Sequence, residues 1–193
     1  MSARALPRAG VLLASLVLAG CPVAESAPPQ TFGKPDIQVA ALEQRIYQLV
    51  NRERAAKGVP PLQLDAALGR IARAHSADMV RRKYFSHVDP DGDDPSERGR
   101  RVGFECKRQS GRSTMIGLAE NIYQNTSYDR ITYRNGVATY HWNTAEEIAA
   151  STVRGWMKSR GHRNNILQLG PTLTGVGVAI APDNKVLVTQ VFC

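Results

Sequence analysis

Two runs near the C-terminal end constrain the fold of this chain more than any other feature. Gly175 to Ala181 alternates Val176, Val178 and Ile180 with small residues, and after Pro182-Asp183-Asn184 the run Lys185 to Phe192 returns. Successive strand side chains point to opposite faces, so the alternation marks half-buried strands, and the short turn makes them an antiparallel pair. Such a sheet must bury its apolar face against another layer. Earlier segments supply helices for that purpose. From Asp36 onward Val39, Leu42, Ile46, Leu49 and Val50 recur at helical spacing, and Gly58 stops the helix. A second helix from Asp65 carries Leu68, Ile71, Ala72, His75 and Met79 on one stripe, so His75 points inward and reads as a core histidine.

Caps mark two further helices. Asp94-Pro95-Ser96-Glu97 has an N-cap acid, proline at N1 and glutamate at N3, opening a short helix that ends near Gly103. Thr144-Ala145-Glu146-Glu147 is a second capping box, which gives Glu147 a structural role and starts a helix with Ile148, Thr152 and Trp156 on one face. Asn135-Gly136 divides Ile131 to Trp142 into a hairpin of the type I′ kind. Helices precede and interrupt hairpin-joined strands without a regular βαβ repeat, which predicts an α+β domain with an antiparallel sheet covered by helices.

The N-terminal end sets the compartment. Arg4 and Arg8 precede the apolar run AGVLLASLVLAG, which at roughly a dozen residues is short of the about 20 needed to span a bilayer. Leu18-Ala19-Gly20-Cys21 resembles a bacterial lipobox. The expected organisation is a signal peptide over 1–20, a lipidated proline-containing tether over 21–35 and a folded domain over 36–193, outside the cytoplasm on the cell envelope. Pro22 after the acylated cysteine favours the outer membrane where the organism has one. With Cys21 assigned to lipid, Cys106 and Cys193 remain as a disulfide pair in an oxidising compartment. No CxxC or Cys/His cluster suggests a thiolate zinc site.

The formal net charge is +8, of which Arg4 and Arg8 contribute two before processing. The arginines are spread, with acids among them, which reads as a solvated face rather than a nucleic-acid patch. The chain reads as a monomer whose partners are the membrane, through its lipid, and a lipid, glycan or envelope protein.

Three polar residues have no periodic core role. His87 lies in the turn-rich Tyr84-Phe85-Ser86-His87-Val88-Asp89-Pro90-Asp91-Gly92, Glu120 in Ala119-Glu120-Asn121-Ile122, and His162 one residue after Gly161, just beyond the expected end of the late helix. Two histidines and a carboxylate are the ligand set of an open zinc site and equally an acid/base set. Singly, each also reads as a hydrogen-bonded loop or cap residue.

These segments carry a resemblance. Ala74-His75-Ser76-Ala77-Asp78-Met79, Tyr84-Phe85-Ser86-His87, Ala119-Glu120-Asn121-Ile122, Gly155-Trp156-Met157-Lys158-Ser159, Gly161-His162-Arg163-Asn164-Asn165-Ile166-Leu167 and Gly175-Val176-Gly177-Val178 follow one another as in bacterial members of the CAP superfamily (cysteine-rich secretory, antigen 5, pathogenesis-related 1), also called SCP-like extracellular domains. The resemblance spans about Ile37 to Phe192. It implies an α-β-α sandwich with a central, mostly antiparallel sheet and a cleft that gathers two histidines and two glutamates. His87, Glu120 and His162 match three of those four. The second glutamate has no counterpart, and Ser159 stands near its place. The resemblance thus implies His87 and His162 as holders of a divalent ion, Zn²⁺ or Mg²⁺, with Asp89 or water completing the site, and Gly161 as a turn that lets the His162 ring face His87.

Two functions follow. Most members of the family have no established catalysis, and no serine, cysteine or threonine here reads as an activated nucleophile, since Ser86 lacks a nucleophile-elbow context. This favours a non-catalytic binding or interaction module. The alternative is a metal-dependent hydrolase, acting on protein or cell wall, with His87 and His162 holding the ion and Glu120 as base.

Overall fold

The computed structural model describes residues 33–110 and 113–193. The signal peptide, Cys21 and nearly all of the tether expected from the sequence lie outside the described residues. The elements run α1 (Val39–Ala55), β1 (Gln63–Leu64), α2 (Ala66–Arg82), α3 (Pro95–Arg101), β2 (Lys107–Ser110), β3 (Ser113–Ile116), β4 (Ala119–Thr126), β5 (Tyr128–Arg134), β6 (Val137–Trp142), α4 (Ala145–Lys158), α5 (Arg160–Leu167), β7 (Leu173–Ile180) and β8 (Lys185–Phe192). The main sheet has the order β1-β7-β8-β4, antiparallel except where β1 runs parallel to β7. Helices cover both faces, so the fold is the expected α-β-α sandwich.

Strand alternation sorts the layers. Val176 and Val178 of β7 and Val186, Val188 and Phe192 of β8 join Leu42, Ile46 and Val50 of α1, Ile148, Val153 and Trp156 of α4 and Ile166 of α5 in the larger core. On the opposite face Leu68, Ile71 and Ala72 of α2 pack on Val191, and Met79 packs on Ile122 and Leu187. The α2 layer sits unusually close to the sheet. A Cβ on Gly175 would fall 2.1 Å from the Gly69 nitrogen, and one on Gly177 would fall 2.1 Å from the Arg73 nitrogen. Ser76 secures the contact, its hydroxyl donating to the Gly177 carbonyl at 2.9 Å and to Thr189 Oγ1 at 2.8 Å.

Both expected capping boxes are present, at Asp94/Glu97 and Thr144/Glu147. Five elements were not anticipated. β1 is a two-residue strand, β4 is rich in polar residues, β2 and β3 form a separate hairpin, and the segment expected to turn at Gly161 is the helix α5. α4 ends at Ser159, whose extended backbone (φ −84°, ψ 126°) serves as both the end of α4 and the start of α5.

Arg54 of α1 locks α5 from behind. It is 1 % exposed, and its guanidinium donates to the carbonyls of Pro60, Ile166 and Gln168. Two of those acceptors lie at the C-terminal end of α5, where carbonyls lack helical partners. Among the described residues no helix is long and apolar enough to cross a membrane.

Cys106 and Cys193 form a disulfide with a Cα–Cα separation of 5.6 Å. It joins the segment after α3 to the residue following β8, whose backbone also exchanges bonds with Leu173. Because the bridge closes a sequence separation of 87 residues, the Cys106→Ser/Cys193→Ser variant should lose about 4 kcal/mol of stability. Urea unfolding with and without reductant measures this; equal midpoints for wild type and variant under oxidising conditions would contradict it.

Candidate functional site: a two-histidine cleft at the sheet edge

Elements from both helical layers meet at β4, the edge strand of the main sheet. From one layer, α2 ends at Lys83, which takes the left-handed conformation (φ 55°) and turns the chain into the loop carrying His87. From the other, α5 presents His162. The His87 and His162 ring centres are 6.3 Å apart, tilted by 49°.

Glu120 of β4 is the hub. Its Oε1 lies 2.8 Å from His87 Nδ1 and its Oε2 accepts from Arg98 of α3 at 2.6 Å. Its side chain is 1 % exposed and that of His87 is 46 % exposed. An ionised carboxylate only accepts, so Nδ1 of His87 carries the proton of that bond and Nε2 of the neutral ring is left with its lone pair. Arg98 also donates to the carbonyls of His87 and Asp93, both at 2.9 Å, so one guanidinium clamps the loop and neutralises the carboxylate.

His75, expected in the core, is buried at 1 % exposure and also belongs to the site. Its Nε2 donates to the Ser86 carbonyl at 3.0 Å and lies 3.8 Å from Glu120 Oε1. Its Nδ1 faces the Tyr84 hydroxyl at 3.3 Å, which donates to Asp78 Oδ2 at 2.8 Å. Burial pushes the Tyr84 hydroxyl well above its ordinary value, helped by Asp78. Burial likewise holds His75 below the ordinary imidazole range, outweighing the pull of Glu120 toward the cation. For His162, burial first and the neighbouring His87 ring second lower the pKa.

α5 is fastened to β4 by amides. Asn165 Nδ2 donates to the Glu120 carbonyl at 3.1 Å and to Asn121 Oδ1 at 2.9 Å, while Asn121 Nδ2 donates to the His162 carbonyl at 3.1 Å. With Trp156 Nε1 donating to the Ile122 carbonyl at 3.1 Å, these bonds satisfy backbone acceptors along the edge strand.

The structure therefore brings His87, Glu120 and His162 to one place. Ser159 is half-buried at the α4–α5 junction and makes no hydrogen bond to any of the three. Gly161 sits in ordinary helical backbone with open space where a Cβ would stand, so the glycine is not what aims His162; the α4–α5 break and the Asn121/Asn165 bonds do that. Asp89 is occupied as well, its Oδ1 accepting from the Asp91 and Asp93 amides at 3.0 Å each. Sequence reasoning missed His75, Arg98 and the two asparagines. His75 fits the apolar stripe of α2, and Arg98 is one of three arginines in the last turn of α3, where basic residues favour the helix dipole anyway.

A loop histidine bonded to a strand glutamate, with a helix histidine whose ring centre lies 6.3 Å away, stands at the edge of an α-β-α sandwich. The CAP family model, cysteine-rich secretory protein family, matches residues 47–192, and the chain belongs to this family. YkwD of Bacillus subtilis is 31% identical over 152 residues, covering 79% of this chain and 47% of its own length. The membrane protein YlbC of the same organism is 29% identical over 137 residues, covering 70% of this chain and 31% of its own length. The chain thus spans less than half of either relative. Among solved structures, an extracellular SCP-domain protein from Bacillus anthracis superposes with a TM-score of 0.55 at 27% identity, covering 80% of this chain and 40% of that one. An outer surface protein from Borrelia burgdorferi shares the fold with a TM-score of 0.57 at 12% identity, covering 83% of this chain and 96% of that one.

Arg98→Leu should destabilise the domain by about 3–5 kcal/mol, because it leaves the Glu120 charge buried without its cation; chemical denaturation reads this, and a loss under about 1 kcal/mol would contradict the buried pair. A second expectation concerns pH. Because His75 and His162 have lowered pKa values when folded, the unfolded chain binds more protons below about 6.5. Their contribution to stability is complete above that pH and is lost as pH falls. Thermal midpoints should decline from pH 7 toward 5, and a His75→Gln variant should decline less steeply.

Proposed function

We propose that this CAP domain is an extracytoplasmic, envelope-tethered binding module rather than a hydrolase. The observation that carries the reading is the state of Glu120. Both of its oxygens are engaged, by His87 and by Arg98, and the side chain is 1 % exposed. A general base needs a lone pair within reach of its water, and a carboxylate already bonded on each oxygen and 1 % exposed leaves little room for a water beside it. What the cleft presents is two imidazoles. The disulfide and the extracellular Bacillus anthracis relative support an oxidising location. The lipobox-like Leu18-Ala19-Gly20-Cys21 supports a lipid tether, and Pro22 supports the outer membrane where one exists.

The residues fit a divalent ion in a restricted way. One ion about 2.1 Å from a nitrogen of each ring separates the ring centres by roughly 5 to 6.5 Å, and the observed 6.3 Å lies within that range. Among the described residues no three His, Cys, Asp or Glu side chains surround a common point. His87 and His162 would hold the ion, water would complete its shell, and Glu120 would orient His87 as carboxylates orient ligand histidines. Imidazole favours Zn²⁺ over the oxygen-seeking Mg²⁺. Two ligands make the binding weak, so the ion serves as a docking point for a lipid, glycan or envelope-protein ligand. A groove of about 460 Å³ behind His75 and Arg98 offers further contact surface.

Calorimetric titration tests this. Zn²⁺ should give saturable heat with wild type, Mg²⁺ should not, and the His87→Ala/His162→Ala variant should lose the Zn²⁺ signal. Affinity should fall in acid, and because burial holds His162 below the ordinary imidazole value of about 6.5, its part of the loss sets in below that pH, since only neutral imidazole binds. Equal Zn²⁺ heats in both proteins would remove the site. Zinc-dependent hydrolysis of casein or peptidoglycan, abolished in the same variant, would favour the enzyme instead.

A further inference from the structure

We propose that the β5–β6 arm is a membrane-contact element, its aromatic face and tip resting on the headgroup region of the bilayer that holds the tether. The proposal rests on the tethered-lipoprotein reading above. β5 and β6 pair with each other and with no other described strand. The arm is mostly exposed, with Tyr133 at 72 %, Val137 at 66 % and Tyr140 at 39 %. Its register places Ile131 and Tyr133 opposite Tyr140 and Ala138, so these share one face. Tyr128 and Trp142 continue that face: Tyr140 stacks on Trp142 at 4.9 Å, and Tyr128 meets both edge-on. Arg130, Arg134 and His141 alternate onto the other face, and the one acid of the arm is Asp129, at the register shift between Tyr128 and Arg130.

Tyrosine and tryptophan concentrate at membrane interfaces, and Arg134, next to the turn at the tip, is placed to meet anionic headgroups there. The path of the chain selects the bilayer as partner. Lys34 Nζ lies 5.6 Å from the centre of the Trp142 ring and donates to Asn184 Oδ1 at 2.7 Å. The tether therefore reaches the domain at the root of the arm. Between Cys21 and Lys34 a chain of this length spans at most about 45 Å when fully extended. Strands of this length reach about 20 Å. The arm is thus short enough to touch a bilayer that holds Cys21.

The sequence supplies a probe, since its two tryptophans are Trp142 in the arm and Trp156, which is 0 % exposed in the core. The mature protein, purified from membranes, is reconstituted into phosphatidylethanolamine/phosphatidylglycerol vesicles whose acyl chains are brominated near the headgroup. Bromine should quench the Trp142 component of the emission, and Trp142→Phe should remove the quenching. Arg134→Glu and Tyr133→Ser/Val137→Ser should each lower it at least about twofold, with thermal midpoints unchanged to show that the domain remains folded. Intact-mass measurement of the same preparation separates the two readings. An acylated Cys21 with unquenched Trp142 overturns the arm while leaving the tether in place; an unmodified Cys21 overturns the tether and the proposal with it. Vesicles without quenching, combined with Tyr133-dependent sedimentation on insoluble peptidoglycan, would assign the arm to glycan instead.

Discussion

The structure depends on a close approach of backbones. α2 lies on β7 at a distance that admits no side chain at Gly175 or Gly177, and Ser76 bonds the helix to the two central strands there. Two consequences follow for the cleft. The helix is held at a depth where His75 reaches the vicinity of Glu120 on the far strand of the same sheet face. The left-handed Lys83 then starts the following loop from a fixed point, so His87 arrives at the edge strand without a rigid element of its own. A loop residue needs such support to hold a defined geometry, and here His75 and Arg98 bind the carbonyls of Ser86 and His87 directly.

At the edge of the sheet the problem is different. An edge strand exposes unpaired backbone groups, and β4 meets this with polar side chains that bond to α5 and with donors from Asn165 and Trp156. The same residues that protect the edge place His162. Beside His87, Glu120 is buried and bonded on each oxygen, by His87 and by Arg98, which is the condition under which a buried charge is tolerated. The result is a rigid polar centre with its reactive-looking carboxylate occupied and its two imidazoles facing outward.

Charge elsewhere is paired across the surface. Arg45 pairs with Glu146, Arg73 with Glu43, Arg82 with Asp91 and Arg101 with Asp93. The β5–β6 arm stands apart, with arginines on one side, aromatics on the other and the incoming chain at its root. The covalent closure by Cys106–Cys193 ties down the residue that follows β8.

Local information in the chain was enough for a large part of this. Helical periodicity, the capping boxes at Asp94 and Thr144, the Asn135-Gly136 turn and the β7–β8 alternation each report interactions within a few residues, and they determined the α+β class and most element positions. Ordered motifs determined the family and pointed to His87, Glu120 and His162. The sequence did not reveal β4 or α5 as elements, because their polar residues are matched to partners far along the chain: Asn121 to the α5 backbone, Asn165 to the β4 backbone. It also gave His75 an ordinary core role and left Arg98 indistinguishable from Arg100 and Arg101. Whether a histidine on an apolar stripe merely packs or also faces a carboxylate, and whether a glutamate is free or already bonded on both oxygens, is decided by which layers converge on one strand edge. That convergence is a property of tertiary packing, since it joins residues from 33 to 45 positions apart through contacts that no local pattern encodes.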